Sequence, residues 1–182
     1  MFNVIVLVTL IAIFLIFLCT LYYFKAMSSS KKFSKDYFAL KQTTYSLTLQ
    51  QAKEEAMPLL LNKDKFQCVE NLNALNPIID NLAPALSELF SRYESIETVL
   101  GEARISRSEL NWYEQDDRFI VIGTDSAHVE LITKPGKEAL YEVDGTEESD
   151  GDITEDAYPS VYHWILMTDR ILYDNYLGRN RM

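Results

Sequence analysis

The sequence predicts an α+β fold behind an N-terminal transmembrane helix: a helical region, an antiparallel or mixed sheet of 3–5 strands, and a closing C-terminal helix. Three observations carry this expectation. Residues 1–24 hold no charged side chain. Apolar residues recur at helical spacing over much of 36–100 and again from Val161. Between Phe119 and Val143 the pattern changes to short runs of β-branched and aromatic residues separated by turn residues. Composition agrees: six Gly and five Pro exclude a collagen-like or low-complexity chain, and eleven Tyr with nine Phe argue against a wholly disordered one.

From Phe2 to Phe24 only Asn3, Thr9 and Thr20 interrupt the apolar run. At the rise of an α-helix that length covers roughly 35 Å, enough for a bilayer core. A cleaved signal peptide needs a basic leader, a short apolar core and a small-x-small cleavage site. Here no Lys or Arg precedes Lys25, and Ile16-Phe17-Leu18-Cys19 offers no small residues ahead of the cysteine. Residues 1–24 are therefore expected to be an uncleaved anchor in the lipid bilayer. Lys25, Lys31, Lys32, Lys35 and Lys41 all follow the span, and the positive-inside bias places the C-terminal domain in the cytoplasm, at a plasma (inner) membrane. Cys19 falls in the span and leaves Cys68 alone beyond it, so no intrachain disulfide is available there and Cys68 reads as a small core residue.

A basic juxtamembrane hinge is expected over 25–35, around Ser28-Ser29-Ser30, followed by a soluble domain over 36–182 with a helical lead-in at 36–77. Charge runs along the chain. Residues 25–65 carry eight basic and four acidic side chains, whereas 66–182 carry nine and twenty-three. Phe38, Tyr45, Leu49, Ala52 and Ala56 share a face of a helix expected over Asp36 to Met57, with Pro58 interrupting it. Phe66, Val69 and Leu72 predict a second helix over Asp64 to Leu75, ended by Asn76-Pro77. A third begins near Pro84 and carries Leu86, Leu89, Phe90, Tyr93, Ile96 and Leu100 before Gly101. Ala103 to Leu110 can supply an edge strand. Phe119–Ile122, Val129–Thr133 and Glu138–Val143 read as strands of an antiparallel meander, with Gly123-Thr124-Asp125-Ser126 and Lys134-Pro135-Gly136 between them. Nine carboxylates and no basic residue lie between Glu138 and Asp156, which reads as a solvated loop after the last strand. Val161, Trp164, Ile165, Thr168, Ile171 and Leu172 then form the closing helix.

Four segments carry a family resemblance: Leu82-Ala-Pro-Ala-Leu-Ser-Glu-Leu-Phe-Ser-Arg-Tyr93, Phe119-Ile-Val-Ile-Gly-Thr124, Glu138-Ala-Leu-Tyr-Glu-Val-Asp144 and Tyr158-Pro-Ser-Val-Tyr-His-Trp-Ile-Leu166. With these, residues 78–168 resemble the SUKH superfamily, which implies helices, a central sheet and a C-terminal helix. The chain departs from the family's pattern at Glu94-Ser95 and after Gly123, and the membrane span lies outside the family's core. The resemblance implies a non-catalytic binder, since many bacterial members are immunity proteins that neutralise a toxin. The charge distribution points the same way independently, because a dense anionic face steers a cationic partner.

Catalytic motifs are absent. There is no G-x-x-x-x-G-K-[ST], no G-x-G-x-x-G and no G-x-S-x-G. His128 and His163 lie in apolar-periodic segments as core-rim imidazoles, and one cysteine beyond the span offers no zinc spacing. Asp144, Thr146, Glu148, Asp150, Asp152 and Glu155 match ligand positions of a helix-loop-helix calcium loop, but Ser149 stands where the sharp turn needs glycine, so a solvated loop is the default. No catalytic residue, cofactor, metal or nucleic-acid partner is expected. Partner-binding candidates are Trp112, Tyr113, Asp116 and Asp117, which mix large aromatics with carboxylates, and Glu147, Glu148, Asp150 and Asp152 of the acidic loop. The leading expectation is a membrane-anchored immunity-type protein that occludes a basic toxin domain. A structural or adaptor subunit of a membrane or envelope complex is the open alternative, and a tethered hydrolase is a third.

Overall fold

A computed structural model of the chain describes residues 35–70, 76–101, 103–126, 129–144, 153 and 158–179. The expected span at 1–24 and the hinge up to residue 34 lie outside the described residues. Among the described residues no helix is long and apolar enough to cross a membrane. The chain divides into two units between Gln42 and Thr43. The described part of the first, residues 35–42, is helical.

The second unit is an antiparallel sheet carrying helices. The helix at 35–45 (α1) ends within it, and α2 follows at Leu49–Leu60. The single helix expected over Asp36 to Met57 is thus two. Thr48 starts the second through a capping box, its hydroxyl accepting from the Gln51 N–H while the Gln51 side chain accepts from the Thr48 N–H. Pro58 lies inside α2 and does not interrupt it, because so near the C-terminus its missing N–H removes one hydrogen bond of the last turns. The order continues with β1 (Phe66–Val69), a 3-10 turn (Pro77–Asn81), α3 (Pro84–Phe90), β2 (Ser95–Thr98), β3 (Arg104–Ser106), a second 3-10 turn (Arg107–Glu109), β4 (Asn111–Trp112), β5 (Ile120–Ser126), β6 (Val129–Thr133), β7 (Leu140–Asp144) and α4 (Val161–Arg179).

The sheet has seven strands in the order β1-β2-β3-β5-β6-β7, with β4 pairing β5 and every pair antiparallel. This corrects the expected 3–5 strands at the N-terminal side. The helix expected over Asp64 to Leu75 holds strand β1, and the helix from Pro84 stops at Phe90, its expected continuation supplying β2. The reason is cross-strand pairing: Cys68 opposes Ile96 and Phe66 opposes Thr98, which buries Phe66, Ile96 and Thr98 together. Ala103 to Leu110 supplies β3, an interior strand and not an edge.

Along β5 the alternation of side chains separates two apolar layers. Ile120 and Ile122 are fully buried, as are Ile96, Ile105 and Leu131 of the neighbouring strands and Leu86, Leu89, Phe90, Tyr162 and Trp164 of the helices. A smaller cluster, Tyr113, Phe119, Ile132 and Val143, packs with Val121, Tyr141 and Ile153. Both sides of the sheet are therefore partly covered.

Three helices meet at one carboxylate. Glu88 of α3 pairs with Lys53 of α2 at 2.6 Å and with Arg92 at 3.2 Å, and accepts from the Tyr162 hydroxyl of α4 at 3.3 Å. The Lys53 hydrogen bond, more than any other contact, holds this carboxyl below its usual range. Lys65–Asp169 at 2.7 Å and Arg170–Glu55 at 3.0 Å tie α4 further to the domain. The start of α4 is fixed by a buried polar chain: Ser160 Oγ lies 2.8 Å from His163 Nδ1, and His163 Nε2 lies 3.1 Å from the Leu47 carbonyl. A carbonyl only accepts, so Nε2 carries the proton and Nδ1 accepts from Ser160. Burial pushes the His163 pKa down, which keeps the imidazole neutral.

A register shift in β5 between Thr124 and Ser126 accompanies the turn of Asp125 toward α4. Its Oδ1 accepts from Trp164 Nε1 at 2.7 Å, and the Tyr158 hydroxyl donates to Glu142 at 2.6 Å with Asp125 Oδ2 at 3.3 Å. Burial, then the two carboxylates, push the Tyr158 hydroxyl far above its usual range, so it stays a donor. Tyr158 also pairs by backbone with Leu140, laying the chain along the outer edge of β7.

Gly123 is where β5 meets β3. A Cβ built there would lie 2.0 Å from the Arg104 carbonyl oxygen and 2.7 Å from the Ile105 Cα, both backbone atoms. Gly136, by contrast, has φ +67 and no atom within 4 Å of a built Cβ. Gly123→Ala is therefore expected to lose about 3 kcal/mol or more of stability, against about 1 kcal/mol for Gly136→Ala. Denaturant titration of the two variants checks the ranking, and equal losses would contradict the close approach.

His163 gives a second expectation. Its folded pKa lies below the unfolded value of about 6.5, so the unfolded state takes up the extra proton as pH falls and stability declines. That contribution is complete above the unfolded pKa and is lost on acidification through the folded one. Between about pH 7.5 and 5.5, the window around that unfolded value, the melting temperature of the wild type should fall more steeply than that of His163→Gln. Parallel curves would contradict a neutral buried imidazole.

Candidate functional site

The split between β3 and β4 leaves a concavity in the sheet. Arg104 opposes Thr124 and Ile105 opposes Gly123, whereas Asn111 opposes Val121 and Trp112 opposes Ile120. Residues 106–110 thus bridge a place where β5 advances only through Ile122. The chain takes up the excess in the 3-10 turn Arg107–Glu109, and a groove of about 360 Å³ lies over β5. Val121, Gly123 and Thr124 line it from β5, Asn111 and Trp112 from β4, and Glu130 from β6. Glu109 and the hairpin residues Tyr113, Glu114 and Gln115 complete it.

The groove is acidic. Glu109, Glu114 and Glu130 line it, and no Lys, Arg or His does. Glu109 is paired with Arg104. Among the described residues, Glu114 and Glu130 have no ion-pair or side-chain hydrogen-bond partner. Trp112 remains 40% exposed, while Trp164, the other tryptophan, is fully buried.

Trp112 and Tyr113 come together in this groove. Tyr113 is only 5% exposed and belongs to the small apolar cluster, its hydroxyl pKa raised by burial and then by the Glu130 carboxylate. Asp116 and Asp117 lie beyond it on the β4–β5 hairpin. Asp116 takes a forked pair from Arg118, at 2.8 Å to Nε and 2.6 Å to Nη2, and accepts from the Arg118 N–H at 3.0 Å. The Arg118 hydrogen bonds hold the Asp116 carboxyl down to about 2, so its charge is neutralised locally. Asp117 is exposed. Glu147, Glu148, Asp150 and Asp152 lie outside the described residues, as do His128 and most of the calcium-like pattern. Glu130, Glu109 and Thr124 were not among the sequence candidates. Glu130 alone had a local signal, as the polar position between Val129 and Leu131 in an otherwise apolar strand.

Other reactive groups are enclosed. Ser160 and His163 form a hydroxyl–imidazole pair, but Ser160 is 0% exposed and both imidazole nitrogens are engaged, so no substrate carbonyl can reach the hydroxyl. Cys68, expected in the core, is partly buried in β1 with its thiol 3.4 Å from the Leu60 carbonyl. Burial raises its pKa to about 11, which suppresses the thiolate. Among the described residues no group of three or more His, Cys, Asp or Glu is placed to hold a metal ion.

Compared with known proteins, the chain matches no family model, no curated protein and no solved structure.

Proposed function

We propose that the chain is a membrane-anchored immunity-type protein, held in a plasma (inner) membrane by residues 1–24, whose acidic domain on the cytoplasmic side binds a basic toxin domain and neutralises it by occlusion. The observation that carries this reading is the groove over β5, which Glu109, Glu114, Glu130 and the exposed Trp112 line and no basic side chain does. A large aromatic anchor rimmed by charge of one sign is the arrangement that a protein partner of the opposite sign recognises. The wider charge distribution supports it, since residues 66–182 carry twenty-three acidic and nine basic side chains. Such a field raises the association rate of a cationic partner before contact. The SUKH resemblance of residues 78–168 implies the same class of binder, and tethering would concentrate the domain where a toxin enters the cell. Turnover has no part in this reading.

Growth rescue tests it. Cells coexpressing the full-length chain with the toxin encoded beside it should survive, and the two proteins should co-purify. Replacing Glu147, Glu148, Asp150 and Asp152 by Lys should slow association roughly tenfold and flatten its dependence on salt. Unchanged kinetics would remove the acidic loop from the interface. Recovery of several membrane subunits with no neutralised toxin would replace this reading by that of an adaptor.

A further inference from the structure

Resting on the membrane anchor of that reading, we propose that the outward face of α1 is a lipid-binding surface: it lies in the headgroup layer of the anionic cytoplasmic leaflet, with the Phe38 ring among the upper acyl chains and Lys35 at the lipid phosphates. Helical spacing sorts the side chains of α1 into two sets. Tyr37, Leu40 and Lys41 are half-buried and Thr44 is fully buried, whereas Lys35, Phe38, Ala39 and Gln42 are exposed. A helix this short is marginal alone in water. Its last turn is held, since Arg170 of α4 donates to the Thr44 hydroxyl and the Tyr45 ring meets those of Tyr158 and His163 edge-on at 6.2 and 6.3 Å. Phe38, spaced for the same apolar face as Tyr45, is instead 62% exposed, with its ring 6.0 Å from that of Tyr37.

The occupant follows from charge and from chain length. Residues 25–45 carry five Lys and one acidic side chain, Asp36, whereas 66–182 carry nine basic and twenty-three acidic ones. A cationic protein partner is drawn to the second set and repelled from the first, so the complement of this face is an anion. Ten residues, 25–34, separate the expected span from α1, and even fully extended they reach no more than about 35 Å. The face is thereby confined to the neighbourhood of the leaflet, where lipid headgroups are the concentrated anion. An aromatic ring flanked by lysine suits that layer, because the ring partitions below the phosphates while the ammonium group stays among them.

The test is fluorescence quenching of the full-length chain in vesicles whose acyl chains carry bromine, made either of phosphatidylcholine alone or of an equal mixture with phosphatidylglycerol. Phe38→Trp puts an indole on the face, and its signal is the difference from the wild-type chain, which carries Trp112 and Trp164. In the mixed vesicles the added emission should be quenched, roughly threefold more than in phosphatidylcholine alone, and Lys35→Glu should weaken that quenching at an unchanged melting temperature. Equal quenching in the two lipids, or quenching that Lys35→Glu leaves intact, overturns the proposal. An indole quenched by aqueous acrylamide instead, in a chain that carbonate cannot extract, also overturns it and leaves the anchor standing. An indole silent to both quenchers overturns it in favour of a protein contact, a second copy of the chain included. Bromine quenching in a chain that carbonate strips from the mixed vesicles supports the face and removes the anchor.

Discussion

Close backbone contact at Gly123 is the constraint on which this domain turns. A side chain there would collide with the Arg104 carbonyl, so only glycine lets β3 lie against the far half of β5. The near half of β5 is then free to pair with β4, and the chain between them loops out through Arg107–Glu109. The groove follows directly from that geometry. One residue type thus connects the sheet's topology to a groove lined by Trp112, Glu109, Glu114 and Glu130.

Charge placement divides the molecule in a way that net charge alone does not reveal. Lys53, Arg92, Lys65 and Arg170 join the helices to one another and to Glu88, Asp169 and Glu55. Arg118 closes the hairpin onto Asp116, and Lys134 sits over the Phe119 and Tyr141 rings at 5.1 and 5.7 Å. Each half-exposed pair contributes modestly to stability, of the order of 1 kcal/mol or less. Their larger consequence is distribution: these cations serve the scaffold, and Glu114 and Glu130 are left facing the groove without them.

The sequence carried the second half of the fold more clearly than the first. Strands β5, β6 and β7 and helix α4 were legible because each has a strong period and Lys134-Pro135-Gly136 marks the turn between β6 and β7, although Gly123 to Ser126, expected as a turn, forms the second half of β5. Strand β1 was not, because Phe66 and Val69 stand three apart and four residues cannot distinguish a period of two from one of 3.6. Tyr93, Ile96 and Leu100 continued the helical spacing of α3 by coincidence. No glycine or proline marks the end of that helix at Ser91, and pairing with β1 decided the conformation of Ser95–Thr98. The break before α2 had a readable signal in Thr48 and Gln51, the spacing of a capping box. Of the site, Trp112 was visible as an aromatic among carboxylates. Glu109 and Glu130 were not, since they reach the groove only through the β3–β4 split and the register of β6.

Hydrogen exchange of the full-length chain, free and bound to the toxin it neutralises, tests the central claim most directly. On this account, binding slows exchange in residues 109–115 and around Glu130 while α2 and α4 keep their free-state rates. Protection confined to the helices, with the groove exchanging as in the free chain, would contradict it.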